Sequence, residues 1–265
     1  MNSDLPLKSL EFWSPPRDAL QFLGSNRQLR TVSLRLHSDI SLHAEVLQQQ
    51  LKLLPQLKSL YISGTWDTNQ PAPSADCVWS LPSCRWLLLK MNRAPVCFAP
   101  NLEPFVCEQM PASECFPTLA LSPLLRSISI LESAPLDAAQ QAQVAHGLGT
   151  ASWKQLESLT IHGCSALNRE FCRSFSSISL KHLVITLVRQ VSPASVQALL
   201  CALPNLLTAV IREYYDYRKE KDRTPRARKS QLVWHSTVER LQKLECAFVD
   251  DVMLMALAMP ALHTL

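Results

Sequence analysis

Glycine is nearly missing from this chain, with five residues in 265. Phosphate-cradling loops rely on glycine to let the backbone approach a ligand closely. Neither a P-loop nor a dinucleotide fingerprint is present, and Gly147-Leu148-Gly149 is the nearest approach. A His-Glu-x-x-His pair, a Gly-x-Ser-x-Gly elbow and any Cys-x-x-Cys pair are absent as well. The seven histidines are scattered. His162 and His182 fall at exposed strand positions of adjacent units, within possible reach of one another, and they read as surface residues. No apolar run reaches the roughly 18 residues that span a bilayer, and residues 1–8 lack a basic stretch followed by an apolar one. These absences predict a non-catalytic, soluble, non-secreted protein, cytoplasmic or nuclear, that carries no cofactor.

Cysteine is present but in an odd number, nine. Cys84, Cys201 and Cys246 fall where buried apolar residues belong, which predicts free cysteines in a reducing compartment rather than a disulfide framework. With 47% hydrophobic content the chain can bury a large core.

The core is organised by one spacing, Leu-x-x-Leu-x-Leu, with Ile, Val, Phe, Ala or Cys as stand-ins. Ten copies run along the chain: Leu7/Leu10/Phe12, Leu29/Val32/Leu34, Leu57/Leu60/Ile62, Cys84/Leu87/Leu89, Leu125/Ile128/Ile130, Leu156/Leu159/Ile161, Leu180/Leu183/Ile185, Leu206/Ala209/Ile211, Leu241/Leu244/Cys246 and Leu262/Leu265. Their starts lie 22, 28, 27, 41, 31, 24, 26, 35 and 21 residues apart. Alternate side chains of a strand point to opposite faces, so the fourth and sixth positions share one face. One such strand cannot bury that face alone; parallel stacking of neighbours builds a continuous core.

The spacing resembles the leucine-rich repeat, and the fourth and sixth copies extend the likeness with Asn92 and Cys164 at the ninth position. The resemblance covers essentially the whole chain. It implies an α/β solenoid, a horseshoe of about ten irregular repeats with a parallel concave sheet and helical or irregular convex returns, forming one domain over residues 1–265. Parallel strands need long crossovers. Ser192 to Leu203 reads as a helix, with Ser192 as N-cap, Pro193 at the first position and Val196, Leu199, Leu200 and Leu203 at helical spacing. Asp137 with Gln140 opens a second, and residues 42–54 and 251–259 are two more. Pro55, Pro82, Pro123, Pro204 and Pro260 each stand two residues before a first repeat position, where a residue that stops a helix and favours an extended lead-in is useful.

Two spacings are long, and each predicts an insertion. Residues 92–123 hold six prolines and Cys97, Cys107 and Cys115, without clear periodicity, and read as an irregular surface loop or a contact loop. Three single cysteines do not make a zinc site, so no metal is expected. Residues 212–230 form the second insertion, in which residues 212–229 carry eight basic and four acidic side chains, a surplus equal to the net charge of the whole chain, +4. Its tail, with Arg223, Arg226, Arg228 and Lys229, resembles a targeting or nucleic-acid-contact patch, and Tyr214, Tyr215 and Tyr217 could stack on bases. The blander reading is a solvated loop.

The second, third and fifth positions of each repeat project away from the core. Second positions Lys8, Arg30, Lys58, Arg85 and Arg126 of the first five copies are all basic. With Tyr61, Trp86 and Met91 as apolar anchors, they predict a surface for an acidic partner protein. The other tryptophans read as packing residues.

Almost nothing precedes Leu7, and the last copy stops at Leu265 without its third apolar position. The chain therefore reads as a segment of a longer array lacking both caps, prone to self-association. The irregular spacing and free cysteines are similar to intracellular ribonuclease-inhibitor-like repeats, including those attached to F-box domains in ubiquitin-ligase substrate receptors. No F-box is present. The function expected is protein–protein recognition on the repeat surface; the alternatives are substrate recognition within a ubiquitin ligase and a nucleic-acid-associated role for residues 212–230.

Overall fold

A computed structural model describes residues 7–40, 43–67, 69, 77–110, 112–132, 139, 153–163, 175–187, 193–213, 236–237, 240, 242–246 and 257–258. The chain is an α/β protein with parallel strands and few helices. It forms two compact units, Met1–Ala134 with Ala151–Leu156, and Pro135–Thr150 with Glu157–Leu265.

In the first unit the elements follow in the order β1 (Ser9–Trp13), α1 (Arg17–Leu20), β2 (Thr31–Asp39), α2 (Ala44–Lys52), β3 (Ser59–Thr65), β4 (Val78–Ser80), β5 (Trp86–Lys90), β6 (Val96–Phe98), β7 (Pro104–Glu108), α3 (Ala112–Ala120) and β8 (Ser127–Glu132). Six strands pair in parallel in the order β1-β2-β3-β5-β7-β8, and β4 pairs separately with β6. The register aligns the repeat. Leu10, Val32, Leu60, Leu87, Phe105 and Ile128 form one row, and Phe12, Leu34, Ile62, Leu89, Cys107 and Ile130 another. From β2 to β8 every member of these rows is at most 1% exposed. Burying each large aliphatic or aromatic side chain contributes about 1.5–3 kcal/mol.

One strand in these rows belongs to no copy read from the sequence. The insertion expected at 92–123 holds β6, β7 and α3, with Leu102, Phe105 and Cys107 all within 1% of full burial at first, fourth and sixth positions. The 41-residue spacing is thus two repeats, with Leu102 18 residues after Cys84 and 23 before Leu125. Its prolines fit ordered structure. Pro104 is the first residue of β7, where a missing N–H is tolerated, and Pro117 lies on the exposed side of α3. Cys115, Thr118 and Leu119 form the buried face of that helix. The Thr118 hydroxyl accepts the Cys97 N–H at 2.9 Å, and the Cys107 and Cys115 sulfurs lie 3.0 Å apart.

A turn ahead of each strand explains the recurring proline. The N–H groups of Leu57, Cys84, Leu102 and Leu125 donate to the carbonyls of Leu54, Leu81, Ala99 and Ser122 at 3.1–3.4 Å. Pro55, Pro82, Pro100 and Pro123 therefore hold the second position of a four-residue turn, where proline's fixed φ is favoured. Asn92 ties its repeat to the one before, its Oδ1 accepting the Trp66 N–H at 2.6 Å and its Nδ2 donating to the Trp66 carbonyl at 2.9 Å. Among the returns, α2 buries Ala44, Leu47 and Leu51 at helical spacing, whereas β4 and β6 bury Trp79 and Cys97 opposite one another.

In the second unit, β9 (Ser158–Gly163), β10 (His182–Leu187), α4 (Pro193–Cys201), β11 (Thr208–Glu213), β12 (Ser236–Thr237), β13 (Lys243–Cys246) and β14 (Leu257–Ala258) follow in order. Strands β9-β10-β11-β13 pair in parallel, again aligning fourth positions (Leu159, Leu183, Ala209, Leu244) and sixth positions (Ile161, Ile185, Ile211, Cys246). Val196, Leu199, Leu200 and Leu203 are buried on and just after α4, as the spacing predicts. Within the expected helix 251–259, Leu257 and Ala258 instead form β14, paired with β12, because strand partnership supplied by the fold outweighs the weak helical preference of so short a stretch. Of the expected helix opening at Asp137 only Ala139 is described, and it is helical; the rest of both stretches, residues 214–230 and the final copy at Leu262/Leu265 lie outside the described residues. Among the described residues no helix is long and apolar enough to cross a membrane.

Candidate functional site: the open face of the first sheet

Second positions of successive repeats are tied by their backbones. The Lys8 carbonyl accepts the N–H groups of Arg30 and Thr31, the Arg30 carbonyl those of Lys58 and Ser59, and the Lys58 carbonyl those of Arg85 and Trp86, at 2.8–3.1 Å. The ladder continues from the Arg85 carbonyl to the Glu103 N–H at 3.0 Å and from the Glu103 carbonyl to the Arg126 N–H at 2.7 Å. Lys8, Arg30, Lys58, Arg85 and Arg126 are all exposed, as the spacing predicts.

The basic stripe is interrupted, however. Glu103, from the repeat hidden in residues 92–123, stands between Arg85 and Arg126 and lies 3.8 Å from Arg85. With both side chains well exposed the pair is worth at most about 1 kcal/mol, but it removes Arg85 from the free cations. Lys8, Arg30 and Lys58 have no ion-pair partner among the described residues, and adjacent strands set them about 4.8 Å apart.

The three apolar anchors differ in burial. Tyr61 and Trp86 are half-buried on the open face. Met91 is fully buried, a correction to the expected anchor: it alternates in phase with Leu87 and Leu89, and its N–H donates to the Glu108 carbonyl at 3.1 Å just past the end of β5, so its thioether faces the core. Two residues outside the expected set take its place. The register puts Tyr61 beside Leu88 and Leu88 beside Val106, all half-buried on alternate positions of β3, β5 and β7. The fifth repeat position carries this signal in the sequence, although Val106 is legible only once Leu102 is recognised as a first position.

At the C-terminal end of the strands stands a second cluster. Trp13, 62% exposed, stacks on the Arg35 guanidinium, whose central carbon lies 4.2 Å from the ring centroid and 5.8 Å from that of Tyr61. Arg35 Nε lies 3.6 Å from Glu11, and the Trp13 indole N–H donates to the same carboxylate at 3.0 Å. Cation–π contact and the carboxylate fix the guanidinium in place. Ser14, at φ 48°, ends β1 and donates its N–H to the Arg35 carbonyl at 2.7 Å. Lys90 pairs with Glu108 at 2.8 Å, and this hydrogen bond, with the charge behind it, pushes the Lys90 ammonium pKa up. Trp13 thus departs from the packing role expected of the tryptophans, while Trp66 and Trp79 are buried.

The remaining candidates do not assemble into a site. Register sets His182 opposite Ser158 rather than His162, and the His182 ring bonds the Thr208 hydroxyl at 2.9 Å. Cys107 and Cys115 meet, but among the described residues no three His, Cys, Asp or Glu side chains group around a point that suits a metal ion. Arg223, Arg226, Arg228 and Lys229 lie outside the described residues. What the open face offers is binding chemistry: cations, aromatic faces, half-buried aliphatics and the hydroxyls of Thr31, Ser33, Ser59 and Ser63. Comparison with models of known protein families finds no match, and comparison with curated protein sequences finds none.

Proposed function

We propose that this chain is a non-catalytic protein-recognition module, a leucine-rich-repeat solenoid whose partner docks on the open sheet face. The observation that carries the reading is the row Tyr61–Leu88–Val106 with Trp86 beside it, half-exposed on a sheet whose opposite face is fully buried. A monomeric surface has no folding reason to cluster four large apolar groups on neighbouring strands, and such patches mark interaction sites. Flanking cations and ion pairs form the polar rim typical of protein interfaces. The repeat spacing, carried through eleven copies once Leu102 is included, supports the solenoid.

A photo-crosslinking residue placed at Leu88 is expected to capture a protein partner in cells, whereas the same residue at the exposed Gln49 of α2 is expected to capture none. Crosslinks from Gln49 with none from Leu88 would overturn the reading.

A further inference from the structure

The open face of the first unit is divided. On β1, β2 and β3 the second, third, fifth and seventh positions are Lys8, Ser9, Glu11 and Trp13; Arg30, Thr31, Ser33 and Arg35; and Lys58, Ser59, Tyr61 and Ser63. Four cations stand there against one carboxylate, a surplus of three positive charges, and most other positions are small hydroxyl residues. On β5, β7 and β8 the same positions are Arg85, Trp86, Leu88 and Lys90; Glu103, Pro104, Val106 and Glu108; and Arg126, Ser127, Ser129 and Leu131. Here three cations face two carboxylates, and Arg85–Glu103 and Lys90–Glu108 are paired within the surface, at 3.8 and 2.8 Å. One half is cationic, the other more apolar with two of its three cations paired within the surface.

Resting on the recognition reading above, we infer that the occupant is an extended acidic segment of a partner protein, laid across the strands. Its carboxylates face Lys8, Arg30 and Lys58, and a large apolar side chain meets Trp86, Leu88 and Val106. The charge surplus selects carboxylates, and the hydroxyl floor of Thr31, Ser33 and Ser59 leaves room for a backbone above it. The separation follows from the sheet: β2 and β5 are two strand spacings apart, about 10 Å, which an extended chain covers in about three residues. The recognised pattern is therefore an acidic residue and, about three positions away, one bulky aliphatic or aromatic residue, which share a face where the extended segment has the threefold turn of polyproline II. The Arg35 guanidinium, held by Trp13, Tyr61 and Glu11, is paired as Arg85 is, which leaves Lys8, Arg30 and Lys58 to meet the carboxylates.

The test uses the full chain and fluorescein-labelled alanine-based peptides read by anisotropy at low salt. One peptide carries two glutamates with a leucine three residues on, and a second has the same groups in reverse order. A third separates them by eight residues, and a fourth has lysines in place of the glutamates. At least one of the first two is expected to bind about tenfold more tightly than the third and fourth, with affinity falling as salt rises. The K8E/R30E/K58E variant, at three exposed positions, is expected to shift the preference toward the lysine peptide, and W86A to weaken binding of the best peptide; melting curves show whether both remain folded. Equal affinity for the three-residue and eight-residue peptides, no measurable binding of either three-residue peptide, or unchanged preference in the folded charge-reversal variant, overturns the inference. If Leu88 still crosslinks a partner in that case, the recognition reading stands without the acidic pattern. If Leu88 also captures nothing, both fall together.

Discussion

At the scale of single residues, burial decides chemistry more firmly than residue type does. The Cys84 thiol is fully buried, and desolvation pushes its pKa up to about 11 despite backbone hydrogen bonds that act the other way. At pH 8 only about a thousandth of it is thiolate, the form that reacts. Iodoacetamide on the native chain is expected to label the exposed Cys201 and to spare Cys84, Cys97, Cys107 and Cys115, as peptide mass mapping would show. Glu114 is a second case: desolvation raises its carboxyl pKa, only partly opposed by Arg93 at 3.8 Å and the Ala94 N–H. A raised folded-state pKa means that protonation favours the fold, so stability from this group is present below the unfolded value and lost as pH rises through the folded one. Glu114→Gln is expected to raise the melting temperature at pH 7 and to leave it unchanged at pH 3; a lower melting temperature at pH 7 would contradict this. Exposure was legible where a repeat position dictated it, as for Lys8, Arg30, Lys58 and Trp86. Met91, in phase with the buried Leu87 and Leu89, and Trp13, out of phase with Leu10 and Phe12, follow the same alternation and were assigned against it.

Among the elements, the informative case is β7. Phe and Cys stand in for leucine at its fourth and sixth positions, and proline at its third, so the repeat was hidden behind a residue set that suggests a loop. Pro100, two residues before Leu102, carries the same punctuation as Pro55, Pro82 and Pro123 and was the signal available. Phe105→Ala is expected to cost about 3–5 kcal/mol, comparable with the about 2–5 kcal/mol for Leu60→Ala, because each empties a fully buried site. A change within about 0.5 kcal/mol by denaturant titration, as for a surface-loop residue, would refute the assignment of β7. Asn92→Ala should cost about 1–3 kcal/mol by leaving the Trp66 backbone groups without their partners. The helices read from spacing, α2 and α4, had apolar residues at i, i+3 and i+7 and were found where expected. The strands β4 and β6 were not read, because three-residue runs are too short for either period to register.

For the whole molecule, charge is unevenly distributed. Residues 212–229 carry a surplus of +4, so the remaining chain has 18 basic and 18 acidic residues. Deleting 212–229 is expected to lower the isoelectric point from about 8.6 to near neutrality, measured by isoelectric focusing. A value still above 8 would mean that other groups set the balance. The open face keeps its own local surplus after that deletion, so binding of acidic peptides there is expected to survive it.

Spacing alone carries the parallel α/β character, the rows of buried leucines and the exposed cations at second positions, because an alternating strand with one apolar face has a single way to bury it. Which side chains become neighbours across strands is set by the folded register. That adjacency brings Glu103 between Arg85 and Arg126, sets Leu88 between Tyr61 and Val106, and stacks Trp13 on Arg35. Charge pairing and patch formation are properties of register, which a one-dimensional spacing carries only when every repeat has been counted.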